Sequence, residues 1–206
     1  MDSNLGEHWQ AVYEAKAPTD VSWYEPVPEH SLELIRTSGL PSNAALLDVG
    51  GGASTLVDHL LAAGFGDITV LDLAPAALEE SKARLGSASD KLEWIAADVT
   101  DWQPPRQYDL WHDRAVFHFL VDAELRDRYL EVLKAALAPG GFVVMATFGP
   151  EGPTHCSGLD VQRYSTEELS DVLGPSFRLM ESDIEEHVTP SGCRQQFLYG
   201  LWRAEA

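Results

Sequence analysis

The chain has 206 residues, with 14 lysines and arginines against 33 aspartates and glutamates, for a formal charge of −19. That length suits one domain around one core, and the acidity opposes a nucleic-acid partner, which needs a basic footprint. No apolar run reaches the ~18–20 residues of a membrane span, and Met1-Asp2-Ser3-Asn4 has neither the basic nor the apolar part of a signal peptide. Two cysteines, Cys156 and Cys193, are too few for a disulfide scaffold, so a reduced cytoplasmic setting is expected.

The first helix is expected over residues 4–16, where Leu5, Trp9, Val12, Tyr13 and Lys16 share one face. Pro18, Pro26 and Pro28 break the chain around Val21-Ser22-Trp23-Tyr24-Glu25, and a second helix is expected over residues 29–37. Strands then alternate with helices. An apolar run at residues 44–49 reads as a buried parallel strand, followed by helical spacing from Leu56 to Gly64. Residues 68–71 form the next strand, closed by Asp72, and Pro75 opens a helix ending at Gly86. Leu92, Trp94 and Ala96 begin a strand that ends at Asp98, and residues 108–112 form a fourth. Leu125, Tyr129, Leu133 and Leu137 mark one helix face, and residues 142–148 form a fifth strand after a Pro139-Gly140-Gly141 turn. Beyond a loop reaching Arg163, Ser165-Thr166-Glu167-Glu168 is a capping-box sequence, and residues 177–188 and 194–202 read as a hairpin.

This order implies an α/β fold: a doubly wound, mostly parallel sheet ending in an antiparallel hairpin. A single domain over residues 1–206 is expected. It has a helical cover (1–40), a cofactor-binding core (41–150) and a substrate-side loop, helix and hairpin (151–206).

In such a sheet the ligand lies beyond the carboxyl ends of the strands. The first strand–helix turn is Asp48-Val49-Gly50-Gly51-Gly52, and Asp72 follows at the end of the next strand, where a carboxylate can accept from both hydroxyls of a ribose. A dinucleotide fingerprint needs a third glycine where this chain has Thr55, and no lysine or arginine between Thr37 and Ser81 could meet a 2′-phosphate. Asp48, Asp72 and Asp98 suit a cationic adenosine ligand better than a pyrophosphate.

These residues resemble class I S-adenosylmethionine (SAM)-dependent methyltransferases. Leu46-Leu47-Asp48-Val49-Gly50-Gly51-Gly52 looks like their glycine motif, and Val70-Leu71-Asp72 and Ala97-Asp98-Val99 like the acidic ends of strands two and three. Leu137-Ala138-Pro139-Gly140-Gly141 looks like the turn before strand five. The resemblance implies a Rossmann-like seven-stranded sheet with SAM as cofactor and S-adenosylhomocysteine as product. Carried over by position, Gly50, Gly51 and Gly52 face the cofactor, Asp72 with Leu73 takes the ribose, and Asp98 and Val99 flank the adenine. Asp48 holds the glycine turn, or the cofactor's amino group through water. The lead-in with Trp23 and Tyr24 is similar to one that closes over the cofactor in a subgroup including translation-factor lysine methyltransferases; a simple cap on the sheet is the other reading.

The methyl acceptor is then expected near Asp113 and Arg114, where Asp113 also borders the cofactor. His118, four residues beyond Arg114, is expected on the same helical face as a base, unless it is merely packed between Phe117 and Phe119. His155 and Cys156 are further contact candidates, and Glu186-His187 and Gln195-Gln196 on the hairpin are others. Adjacent His155-Cys156 is a poor metal signal, so no metal is expected. The leading expectation is methyl transfer to a small molecule. The alternatives are a protein-lysine methyltransferase, a non-catalytic SAM-binding protein and an NAD-dependent oxidoreductase; acceptor and oligomeric state are not legible.

Overall fold

A computed structural model describes residues 3–205; Met1, Asp2 and Ala206, the ends of the expected domain, lie outside the described residues. Helices α1 (Ser3–Ala15) and α2 (Glu29–Thr37) precede the first strand. Then β1 (Ala45–Val49), α3 (Leu56–Ala62), β2 (Asp67–Asp72), α4 (Pro75–Leu85), β3 (Glu93–Ala96) and β4 (Tyr108–Arg114) alternate. Helix α5 (Ala123–Ala136) runs straight into β5 (Leu137–Phe148). A small loop hairpin, β6 (His155–Cys156) and β7 (Leu159–Asp160), is followed by α6 (Thr166–Leu173), β8 (Phe177–Val188) and β9 (Arg194–Ala204). Among the described residues, no helix is long and apolar enough to cross a membrane.

One sheet takes the order β3-β2-β1-β4-β5-β9-β8. It is parallel from β3 to β5, and β9 runs antiparallel to both its neighbours. This is the doubly wound architecture read from the sequence. The winding reverses between β1 and β4, so their carboxyl ends part and leave a crevice.

Local chemistry explains the element ends. Pro75 occupies the first turn of α4, where its missing N–H costs nothing. Asp122 caps α5 by accepting from the Glu124 N–H at 2.7 Å, and the Ser165–Glu168 capping box is formed on both sides. The Pro139-Gly140-Gly141 segment, expected as a turn, instead lies within β5. Tyr108 pairs with Leu137 while Leu110 pairs with Phe142, so β5 bulges against β4, with Gly140 at φ +74°.

Each face of the sheet buries its own apolar layer. Leu47, Val49, Trp111 and Met145 face α5 and α6 residues such as Leu133 and Leu169. Leu46, Val70, Leu110 and Val144 pack against Ile35 of α2 and Leu56, Val57 and Leu60 of α3. Each fully buried side chain of this size contributes about 1.5–3 kcal/mol. The first layer also encloses a polar chain: Trp111 Nε1 donates to Tyr129 Oη at 2.9 Å, and Tyr129 donates to Asp113 Oδ2. All three residues are fully buried. A Tyr129→Phe protein leaves the Trp111 N–H without a partner and Asp113 Oδ2 with only the Phe117 N–H, so its unfolding free energy should fall by about 1–3 kcal/mol in denaturant titration. An unchanged midpoint would contradict the network's role.

Candidate functional site

The crevice between β1 and β4 opens into two adjoining cavities. The larger, about 840 Å³ and partly open to solvent, is bordered by β1, β2, the segment after β3, the end of β4 and the N-terminal aromatic residues. The smaller lies behind Trp23 and includes Asp48, Ser54, Thr55 and Glu25 on its walls. Val49, Gly50, Trp23 and Arg114 line both.

The glycine turn is shaped by clearance inside the protein. Gly50 has φ +68°, and a Cβ there would lie 2.1 Å from Val116 Cγ2, so only a bare residue lets the β1 and β4 turns meet. At Gly51 a Cβ would strike Asp48 Oδ2 at 2.3 Å, and at Gly52 it would strike Asp72 Oδ2 at 2.5 Å. Gly50 lines the cavities, whereas Gly51 and Gly52 lie behind the wall and give the two carboxylates room.

Asp72 is buried at the end of β2 and accepts from the Ala74 N–H at 2.8 Å. Burial pushes its carboxyl up to about 6, against the hydrogen bonds from the Ala74 and Gly52 backbone and with the Asp48 charge adding to the rise. Leu73, Asp98 and Val99 continue this wall, and Asp98 accepts from the Thr100 N–H and hydroxyl at 2.9 and 2.8 Å. Asp48 pairs one oxygen with His112 Nδ1 at 2.7 Å, while His112 Nε2 meets Ser31 Oγ at 2.9 Å. The other Asp48 oxygen is buried without a partner among the described residues. It belongs to a residue on the smaller cavity's wall, where an amino group would complete it through a water.

The cover is aromatic. Trp9 packs edge-on against Trp23 at 5.6 Å and Phe119 at 5.1 Å, and all three line the larger cavity with Tyr13. Trp23 and Phe119 also pack against the apolar layer beneath, so these rings border the cavity and cap the sheet at once. Tyr24 lies outside both cavity walls.

Arg114 stands at the end of β4, where the sequence places it. Its Nε donates to Tyr199 Oη at 2.6 Å and lies 3.2 Å from Glu25, and its Nη1 donates to the Trp23 carbonyl at 2.9 Å. The guanidinium thereby ties the cover to the sheet. The next residue, Ala115, has φ +70°, a strained left-handed turn for a residue with a Cβ. No composition or spacing signal marks it.

Two expectations need correction. His118 is not on a helical face with Arg114: β4 runs to Arg114, the chain turns at Ala115, and Phe117–Phe119 is a single 3-10 turn. The ring is fully buried between Phe119 and Phe148, and its Nδ1 accepts from the Phe148 N–H at 3.1 Å. Burial, with the nearby Arg114 charge, lowers it to about 3, so it is neutral and sealed from the cavity. Asp113 likewise lies off both cavity walls. Its carboxylate accepts from Tyr129 and from the Val116 and Phe117 N–H groups, shaping the turn that carries Arg114 and Val116. Burial pushes it up to about 6, against these bonds.

Cys156 lines the cavity, and burial raises its thiol. His155 points away and pairs with exposed Asp160 at 2.8 Å. On the hairpin, Gln195 reaches the cavity wall and His187 comes close behind it. It is Glu185, not Glu186, that joins Glu25 there.

Comparison with known proteins agrees with this geometry. A methyltransferase-domain family model matches residues 47–143, the stretch from β1 to β5 that builds both cavities. This match and the relatives below support a class I SAM-dependent methyltransferase. It is 28% identical over 173 residues to malonyl-[acyl-carrier protein] O-methyltransferase 1 of Ilyobacter polytropus, covering 78% of this chain and 63% of that one. It is 25% identical over 197 residues to EEF1A lysine methyltransferase 2 of Danio rerio, covering 86% and 78%. In fold it resembles the 1,6-didemethyltoxoflavin N1-methyltransferase of Burkholderia thailandensis, solved with 1,6-didemethyltoxoflavin and S-adenosylhomocysteine. That match has a TM-score of 0.72 at 19% identity and covers 98% and 85% of the two chains.

The walls fit the methyltransferase cofactor: Asp72 and Asp98 on the larger cavity, a buried Asp48 oxygen without a partner beside the smaller one, and no lysine among the described lining residues. If Asp72 holds the ribose, its ionised carboxylate accepts from the hydroxyls and its protonated form does so poorly. Affinity should therefore be full above the raised Asp72 value and fall as pH drops through it, by up to about tenfold per pH unit. Calorimetry with S-adenosylhomocysteine should show that loss in the parent and a weaker, pH-flat affinity in Asp72→Asn. Parent-like behaviour of the variant would remove Asp72 from the site.

Proposed function

We propose that this chain transfers the methyl group of SAM to a small-molecule acceptor held at the Arg114 end of the larger cavity. The observation that carries the reading is the aromatic lining: Trp9, Trp23 and Phe119 pack together on a partly open chamber that Phe148, Phe197 and Cys156 also line. A chamber of this kind takes a compact acceptor and sheds its water.

When bound, the cofactor supplies a methyl group already activated by its sulfonium. The residues of this chain have then to bind, align and exclude water. Asp72 accepts from the ribose, Asp98 and Val99 border the adenine, and the unpartnered oxygen of Asp48 takes the amino group through a water. Gly50, lacking a side chain, lets the cofactor lie against main chain. Arg114, anchored by Tyr199, Trp23 and Glu25, fixes the wall beside the reacting atoms, and Asp113 positions it through the turn. His118 is a packing residue in this reading and takes no proton.

A second reading, transfer to a protein lysine, is favoured by the Danio rerio relative, which aligns over 86% of the chain. Against it, the end of β4 and the turn after it read Asp113-Arg114-Ala115-Val116, where the lysine methyltransferases that the lead-in resembles carry Asp-Lys-Gly-Thr. Incubating the full chain with methyl-labelled SAM and separated metabolite and protein fractions distinguishes the readings. Label in the metabolite fraction is the expected outcome; label confined to protein would overturn the small-molecule assignment.

A further inference from the structure

Behind the Arg114 wall lies a cluster that methyl transfer leaves unexplained. Glu25, from the segment carrying Trp23, meets Glu185 and His187 of β8, and one ligand-type atom from each lies within 4.8 Å of the others. Residues two apart on a strand share a face, and the β8–β9 register sets Glu185 opposite Phe197 and His187 opposite Gln195, which line the larger cavity.

The protons in this cluster can be assigned. His187 is 5% exposed, and its Nε2 lies 2.7 Å from the Ser22 carbonyl. A carbonyl only accepts, so Nε2 carries the hydrogen and Nδ1 keeps a lone pair. That lone pair faces Glu25 Oε1 at 3.7 Å, and Nδ1 makes no hydrogen bond among the described residues. Glu185 Oε2 is buried and also lacks a partner. Three acceptors therefore converge, and the only donor between the two carboxyls is a proton on Glu25, a carboxyl that burial pushes up to about 7. The other Glu25 oxygen is engaged by Arg114 Nε at 3.2 Å. With both carboxyls ionised, one guanidinium leaves a net negative charge that a cation can balance in place of a shared proton.

These outer contacts are those of a metal centre. A ligating histidine usually donates its far N–H to a carbonyl or carboxylate, and a ligating carboxylate is itself held by a hydrogen bond. We propose that Glu25, Glu185 and His187 bind one divalent transition-metal cation of the zinc type. Zinc–ligand bonds of about 2.0–2.2 Å set tetrahedral ligand atoms about 3.4 Å apart. The Glu25–His187 separation is already close to that, and Glu185 closes the set by a side-chain adjustment. The ion joins the Ser22–Glu25 segment to β8. Its role is structural: it fastens Trp23 over the cavity. The site is unlike the adjacent His155-Cys156 pair considered in the sequence, and it stands independently of the methyl-transfer reading.

The test uses the full chain stripped of metal. Zn²⁺ is titrated against a competing chelator, bound metal is counted by elemental mass spectrometry, and Co²⁺ serves as a visible-absorption probe. One Zn²⁺ per chain is expected, with a Co²⁺ absorption band and a rise in melting temperature of the parent on adding Zn²⁺. Glu185→Gln and His187→Gln should each weaken binding by at least about tenfold, while His155→Gln binds as the parent does. S-adenosylhomocysteine binding and circular dichroism of the same variants separate loss of the ion from loss of the fold or of the cofactor site. If the parent takes up no Zn²⁺ at micromolar concentration and shows no melting shift, or if both variants keep parent affinity, the metal site is refuted. In the first case a proton shared by Glu25 and Glu185 occupies the cluster.

Discussion

The site depends on one close approach. Where the winding of the sheet reverses, Gly50 and Val116 come together so tightly that the space a Gly50 side chain would need is filled by Val116 Cγ2. The left-handed backbone at Gly50 and the missing Cβ are the same requirement seen twice. The β1 turn can then lie beside the β4 turn with bare main chain facing the crevice. Gly51 and Gly52 extend this inward by making room for Asp48 and Asp72. The glycines therefore do more than admit a ligand: they let two carboxylates be buried where a cationic nucleoside can use them.

A second constraint comes from burying charge. Asp113 and Arg114 are neighbours on β4 and point to opposite faces of the sheet, as successive strand residues must. Asp113 faces α5, where Tyr129 and two backbone N–H groups satisfy it. Arg114 faces the cover, where Tyr199, Glu25 and the Trp23 carbonyl satisfy it. Each network holds one side of the turn at Ala115. A strained residue persists there because its neighbours are over-determined. The aromatic cover is thus tied to the sheet through a charged side chain as well as through ring packing.

Much of this was legible in the sequence, for physical reasons. Strand and helix periodicity is local, so β1 to β5 and the terminal hairpin follow from short windows of residues. Asp72 and Asp98 were legible because acids closing consecutive strands fall on one edge of a parallel sheet. His118 was misread because a four-residue spacing has meaning only on a helix, and the left-handed turn at Ala115 removes the helix. Gly51 and Gly52 were assigned to the ligand, although their clearance is against Asp48 and Asp72. The meeting of Glu25 with Glu185 and His187 was not legible at all. It depends on the β8–β9 register and on the path of a proline-broken segment, neither of which has a local signature. The hairpin hinted at it only through His187 and Gln195.

The central claim is that the crevice between β1 and β4 takes the adenosyl sulfonium cofactor and not a dinucleotide. Parallel calorimetric titrations of the full chain with S-adenosylhomocysteine and with NAD test it most directly. The account requires one S-adenosylhomocysteine per chain and no comparable heat from NAD. Saturable NAD binding with none of S-adenosylhomocysteine would contradict it.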